Sequence, residues 1–345
     1  MAVIKMQGLN KTTLRLAAIL AALCLSCDGG RTLAQELDRV PPALREMTPE
    51  EEGNRQRVQT LLQQARAAIS VGRGVSPDQI TSFSVSGRYV RPTKYVQVSW
   101  KDKVEEKVKN LDGKIELIFQ TPDKFRKKES GESLTDWPYT YREIANGPDA
   151  WRDPPAPLPT RSRGRVVDVD DVAEANRLRA LAIQQEFTWY MMAFLLRPGT
   201  AFPVEIMYAG ETELSGARAE ALLVTGQNDT RFLLLLDRET HRPLMIGVTF
   251  IDSLNTPVLF QRVPYSRQAN REMMILARRE AEARRKKPRR VDMRIIFSDH
   301  RQVDGLLLPY RLTTTLNGEI FEEMEIREYK FNRGFKAKDF EKGRP

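Results

Sequence analysis

Only two cysteines occur in this 345-residue chain, and both, Cys24 and Cys27, fall within its first 34 residues. Disulfides, thiol catalysis and cysteine-held metal are therefore excluded downstream of them. Histidine is as scarce: His241 and His300 stand alone, so a histidine-rich metal site cannot be assembled. Missing too are a Gly-x-Ser-x-Gly elbow, a Walker loop and a His-Glu-x-x-His helix. Gly72-Arg73-Gly74 has neither the preceding strand nor the third glycine of a dinucleotide fingerprint. Asp299-His300 is the most tempting piece of a Ser/His/Asp set, but adjacent residues on a strand face opposite ways and do not readily bond as base and orienter. Solvated surface positions are expected for both histidines. The sequence thus predicts no catalytic residue, no metal and no cofactor.

Long apolar runs are also rare. The run from Leu16 to Leu25 is too short to cross a bilayer. It follows Lys5, Lys11 and Arg15 and precedes Thr32-Leu33-Ala34, small residues at the positions a signal peptidase inspects. Residues 1–34 are therefore expected to be a cleaved signal peptide, cut after Ala34, which places the protein in the periplasm. A rival cut before Cys27 would leave a lipid-anchored form. Its box, Cys24-Leu25-Ser26, lacks the usual Leu or Val at the far position and a small residue in the middle, so soluble release is preferred.

About 310 residues follow that cut, enough for one large or two ordinary domains and a sizeable core. The net charge of +9 is mostly local: Arg267 to Arg290 holds ten basic residues against Glu272, Glu280 and Glu282. This stretch reads as a basic helical insertion, residues 266–290. Its cations Arg278, Arg279, Arg284, Arg285, Lys286, Lys287, Arg289 and Arg290 are candidates for contact with anionic headgroups or an acidic envelope protein. A solvated helical extension accounts for them equally well. Export argues against a nucleic-acid partner.

Along the chain the apolar period changes twice. Thr48-Pro49-Glu50-Glu51 combines an N-cap, a proline at the first helical position and a capping-box glutamate. Val58, Leu61, Leu62, Ala65, Ala68 and Ile69 then recur at helical spacing. From Ile80 the period is two, with Phe83, Val85, Gly87 and Tyr89 alternating with polar residues, and Val96, Val98 and Trp100 doing likewise. Ile115, Leu117 and Phe119 follow the turn at Asn110 to Gly113. Trp137 to Arg163, rich in proline, reads as a long loop. A helix is expected over 172–196, where Asp168, Asp170 and Asp171 favour its N-terminal dipole; with Ala173 and Arg179 at the sixth and twelfth positions they do not make a calcium loop. Further strands are expected at 218–225, 231–237, 244–251, 256–264, 291–298, 306–316 and 319–331. The organisation predicted is a signal peptide (1–34), a flexible segment (35–47) and one α+β domain (48–342) interrupted by the loop 137–163 and the insertion 266–290.

Phe232 to Leu236 is apolar without a break, and Leu222 to Val224 and Leu306 to Leu308 behave similarly, so both faces of these strands need cover. The order of helix, antiparallel strands, helix and more strands resembles the outer-membrane lipoprotein carriers of the LolA/LolB type. Gly113 to Phe125 is similar to that family's strand ending in a proline with an aromatic three residues later. Asn146-Gly147 with Trp151, Asp304-Gly305 with Leu308-Pro309, and Phe331-Asn332 with Phe340 resemble its hairpins and closing strand. Thr121 stands before Pro122, where the carriers usually have an arginine that helps hold a lid closed.

The resemblance implies a curved antiparallel sheet, an incomplete β-barrel wrapped around helices, that takes up a lipid or lipoprotein acyl chain in an apolar cavity without catalysis, as a monomer. With strand parity, it points to Val98, Trp100, Leu117, Phe119, Leu234, Leu236 and Ile246 as cavity-lining residues. An envelope protein-interaction or stress-sensing module on the same fold, using the basic insertion, is the alternative.

Overall fold

A computed structural model describes residues 49–72, 74–98, 104–133, 138–153, 169–197, 202–226, 230–252 and 289–342. The signal peptide, Cys27, the segment 35–47, the strand expected at 256–264 and all but the last two residues of the basic insertion lie outside them.

The first element is helix α1, Pro49–Ile69. Val58, Leu61, Ala65 and Ile69, spaced three or four apart, are its buried stripe. Five strands follow in sequence: β1 Ser82–Val98, β2 Val104–Gln120, β3 Lys124–Glu132, β4 Pro138–Asn146 and β5 Asp149–Asp153. Helix α2, Val169–Leu195, leads to a second series. This comprises β6 Val204–Leu214, β7 Ala217–Gly226, β8 Arg231–Asp237, β9 Pro243–Asp252, β10 Arg289–Val303, β11 Leu306–Leu316 and β12 Glu319–Phe331.

All twelve strands form one antiparallel sheet in the order β5-β4-β3-β2-β1-β12-β11-β10-β9-β8-β7-β6. Each series is a meander, and the first and last strands of the chain meet at the junction, with Phe83 opposite Phe331 and Val90 opposite Glu323. The outer strands β5 and β6 do not pair, so the barrel is open. Helix α2 touches β4 and β5 at one margin and β9 towards the other, so the sheet curves around it. The α+β class and the incomplete barrel expected from the sequence are what the structure has.

Burial follows strand parity. Phe83, Val85 and Tyr89 of β1, Ile115, Leu117 and Phe119 of β2, and Phe232, Leu234 and Leu236 of β8 belong to a single cluster with Phe187, Met191, Phe194 and Leu195 of α2. Full burial of such a side chain is worth about 1.5–3 kcal/mol, so this face dominates the stability of the fold. A smaller cluster on the opposite face, Ala219, Ala221, Leu235 and Met245, explains why β7 and β8 are apolar on both sides. A third, Ile118, Ile144 and Phe340, is covered by the chain after β12.

Several expectations need correction. The stretch from Trp137 to Arg163, read as loop, carries β4 and β5. Proline is tolerated there because Pro138 opens β4, where no ladder hydrogen bond is required of it, and Pro148 sits in the turn between the strands. β6 was not expected at all. Its alternation is interrupted by a bulge between Tyr208 and Gly210, and Gly210 has φ 110. The basic insertion also ends earlier than read, since Arg289 and Arg290 pair with Asp252 and Ile251 as the first residues of β10.

Candidate functional site

The concave face of the sheet, under α2, has an apolar part and a charged part. In the apolar part, five of the seven residues read as cavity-lining, Leu117, Phe119, Leu234, Leu236 and Ile246, are completely buried and belong to the cluster that includes α2. Val98 closes the β1–β2 register opposite Val104, and Trp100 lies outside the described residues. Aromatic rings fill the space. Phe119 stacks on Phe83 at 4.2 Å and 7° and meets Phe125 at 5.0 Å. From α2, Phe187, Tyr190 and Phe194 reach the Phe119 ring at 6.0, 6.2 and 6.4 Å. Such offset and edge contacts add about 0.5–1.5 kcal/mol each beyond the area they bury. Beside α2, a narrow cleft opens between Leu181, Gln184 and Thr188 of the helix and Phe202, Pro203, Val204, Gly226 and Thr230.

The charged part lies on β3 and β4. Counting inward from Phe125, the same parity brings Lys127, Glu129 and Gly131 to the concave side, and on β4 Tyr139, Tyr141 and Glu143. Lys127 Nζ lies 2.8 Å from both carboxylate oxygens of Glu186 on α2, 3.0 Å from Glu143 and 3.5 Å from Glu129. Arg91 donates to Glu129 at 3.3 Å and also pairs with Glu322 of β12. It stacks 4.8 Å over the Tyr89 ring, and the Tyr89 hydroxyl bonds that of Tyr139. No side chain fits above Gly113: a Cβ there would meet Ser130 O at 2.4 Å and the Tyr89 hydroxyl at 2.5 Å.

Two cations thus face four carboxylates in a low-dielectric setting. Burial alone would raise Glu129, whose residue is only 2% exposed, but Lys127 and Arg91 outweigh it and hold its carboxyl below the usual range. Glu186 goes the other way: burial raises it, Lys127 opposes, and Glu143 adds to the rise. Burial disfavours the Lys127 ammonium, yet Glu186, Glu143 and Glu129 together hold its pKa well above the ordinary lysine value. Burial and the Tyr139 hydrogen bond push Tyr89 up. The Lys127 ammonium, shared by Glu129 and Glu143 of the sheet and Glu186 of α2, thus ties the helix to the strands.

This network was not read from the sequence. The signal available was Lys127 and Glu129 continuing the inward phase of Phe125, a charged pair where an apolar alternation should run.

No catalytic set forms around the histidines. The Asp299 carboxylate accepts from Arg301, at 3.0 Å from Nε and 2.5 Å from Nη2, and no hydrogen bond joins it to His300 Nε2. The expectation that both histidines are simply solvated is corrected. His300 Nε2 and His241 Nδ1 are buried without a hydrogen-bond partner among the described residues. Burial and the nearby Arg242 lower the His300 pKa, so it is neutral at pH 7. Asp170 and Asp171 fall in the first turn of α2, and Asp168 lies outside the described residues. Among the described residues no group of three or more His, Cys, Asp or Glu could hold a metal, and no helix is long and apolar enough to cross a membrane. Of the eight basic candidates, Arg278, Arg279, Arg284, Arg285, Lys286 and Lys287 lie outside the described residues, while Arg289 and Arg290 are in β10.

By sequence, no family model and no curated protein matches the chain. By structure it is similar to a LolA superfamily protein from Nitrosomonas europaea, at 13% identity and a TM-score of 0.40, over 82% of this chain and 97% of that one. It is also similar to a domain described as an outer membrane lipoprotein-sorting protein from Vibrio parahaemolyticus, at 9% identity and a TM-score of 0.39, over 84% and 96% of the two chains. A DUF1329 family protein from Desulfovibrio piger matches at 11% identity and a TM-score of 0.32, over 82% and 97%. The first of these is a member of the family that the sequence motifs resemble.

Proposed function

We propose that the protein works in the periplasm as a non-catalytic binding protein that holds the acyl chain of a lipid or lipoprotein between α2 and the concave face of the sheet. The observation that carries this reading is the continuous apolar concave surface of the sheet, packed against α2 and the buried stripe of α1 and including Leu117, Phe119, Leu234, Leu236 and Ile246. A sheet with two unpaired margins can widen, and Met191 and Met192 give the helix an adaptable underside. The energies balance. An acyl chain of about 14 carbons gains about 0.8 kcal/mol per buried CH₂, roughly 11 kcal/mol, against about 1.5–3 kcal/mol for each α2 side chain it displaces. Exchange of four or five side chains for one acyl chain is therefore close to neutral, which suits uptake and release. The cleft lined by Leu181, Phe202 and Val204 is the natural point of entry.

Protein isolated gently from its native envelope should carry acylated lipid at close to one molecule per chain, read by organic extraction and mass spectrometry. Protein that is consistently lipid-free, from envelope that does contain candidate lipids, would overturn the reading. The alternative, docking of an envelope protein through residues 266–290, predicts that deleting 268–287 abolishes partner recovery, whereas lipid content should survive that deletion if the cavity is the working part.

A further inference from the structure

Helix α2 is anchored differently at its end and in its middle. Just past its C-terminal end, Arg66 donates to Leu196 O at 3.0 and 3.3 Å, and Arg197 donates to the carbonyls of Ile80 at 2.9 Å and Asp78 at 3.3 Å. Bonds from guanidinium to carbonyl do not titrate below about pH 12. The middle turns are held by Gln184, which donates to Pro148 O at 2.6 Å, and by Glu186, whose carboxylate accepts from Lys127. Of these two contacts only the second contains a group that changes charge in the ordinary pH range. Leu181, Gln184 and Thr188, which line the cleft beside the helix, belong to the same turns.

The charges around Glu186 do not balance. Lys127 is shared by Glu186, Glu143 and Glu129, and Arg91 by Glu129 and Glu322, so two cations face four carboxylates within ion-pair distance. From β5, Arg152 stands opposite Glu143 in the register and stacks 3.6 Å over the Tyr141 ring, while Asp149 and Asp153 take the other face of that strand. On the helix itself, Arg179 is seven residues back, about 10 Å along the axis. Tyr141 and Tyr190, both raised by burial, stay neutral, and Lys127 stays charged. Glu186 therefore ionises as a surplus anion, because the two strand carboxylates already neutralise Lys127. Burial raises its carboxyl, Lys127 opposes, and Glu143 adds to the rise.

We infer that Glu186 makes α2 a proton-dependent wall of the cleft: with a proton on Glu186 the middle turns close on the sheet, and as pH rises and the proton leaves they slacken while the C-terminal end stays fixed. By linkage, a carboxyl that binds its proton more tightly in the closed helix than in water stabilises the closed form at low pH, and that effect is lost as pH rises through its closed-state pKa. Glu129 acts in a separate window, since it is held below the usual range and weakens the cluster only at pH below that range. The consequence for acyl-chain exchange rests on the function proposed above, whereas the helix movement does not.

Hydrogen exchange of the full chain at about pH 5.5 and about pH 8, each corrected for the intrinsic amide rate, tests it. Protection of the amides from Ile183 to Tyr190 should be roughly tenfold lower at the higher pH, with that of Leu195, Leu196 and β2 unchanged. Glu186→Gln, which keeps the shape and removes the charge, should hold the higher protection at both pH values. Equal protection of the unaltered chain at the two pH values, protection that instead falls towards acid, or full pH dependence in Glu186→Gln would overturn the inference. Release of an uncharged fluorescent fatty-acyl ester from the loaded chain should accelerate by a similar factor over the same range, and not in Glu186→Gln. A chain that shows the exchange pattern but binds no ester would support the helix movement and count against the acyl-chain reading.

Discussion

Replacing Lys127 by methionine is expected to destabilise the fold by about 3–5 kcal/mol, because it leaves Glu129, Glu143 and Glu186 buried around an uncharged thioether. The volume is nearly conserved, so the loss reports electrostatics rather than a cavity. Adding Glu186→Gln should restore part of it by removing one of the three stranded carboxylates, and urea unfolding of the two single variants and the double variant would measure the coupling. The pH dependence has a definite sign. In the unaltered protein Glu129 is held below the ordinary glutamate value, so its contribution is present above that value and lost as pH falls through its folded pKa. Without the ammonium, the folded-state pKa values of the neighbouring carboxyls rise. They then bind protons on folding, so the deficit of Lys127→Met should be largest at neutral pH and shrink towards pH 5. A deficit independent of pH would mean that the cluster is not held by charge.

Phe119→Ala is expected to cost about 3–5 kcal/mol. The side chain is fully buried and touches rings from both layers, Phe83 and Phe125 of the sheet and Phe187, Tyr190 and Phe194 of α2. Truncation opens a cavity where the acyl chain is proposed to lie, so the variant should lose stability and bind an acyl probe more tightly at once. A surface substitution of similar stability cost would produce the first effect without the second. Calorimetry with and without added fatty acid distinguishes them.

The concave apolar face was legible in β2, where Ile115, Leu117 and Phe119 recur at period two, whereas in β8 and β9 both faces are apolar and only their pairing assigns Leu234, Leu236 and Ile246 to one side. β4 was not legible. Its inward positions are Tyr139, Tyr141, Glu143 and Ala145, so the hydrophobic signal is replaced by members of the ion network, and five nearby prolines outweighed what remained. The network itself is assembled from β1, β3, β4, α2 and β12, with Arg91 and Glu322 separated by 231 residues, and no local pattern reports such a meeting.

Trp189 of α2 packs against the main core cluster, whereas Trp151 of β5 packs with Phe340 in the cluster on the other face. Tryptophan emission therefore offers a direct test of acyl-chain uptake under α2, by titrating the full chain with a brominated fatty acid, whose bromine quenches only nearby indoles. The account predicts quenching that saturates at one chain per protein and is largely lost in Trp189→Phe. Absence of saturable quenching, or quenching undiminished in Trp189→Phe, would contradict it.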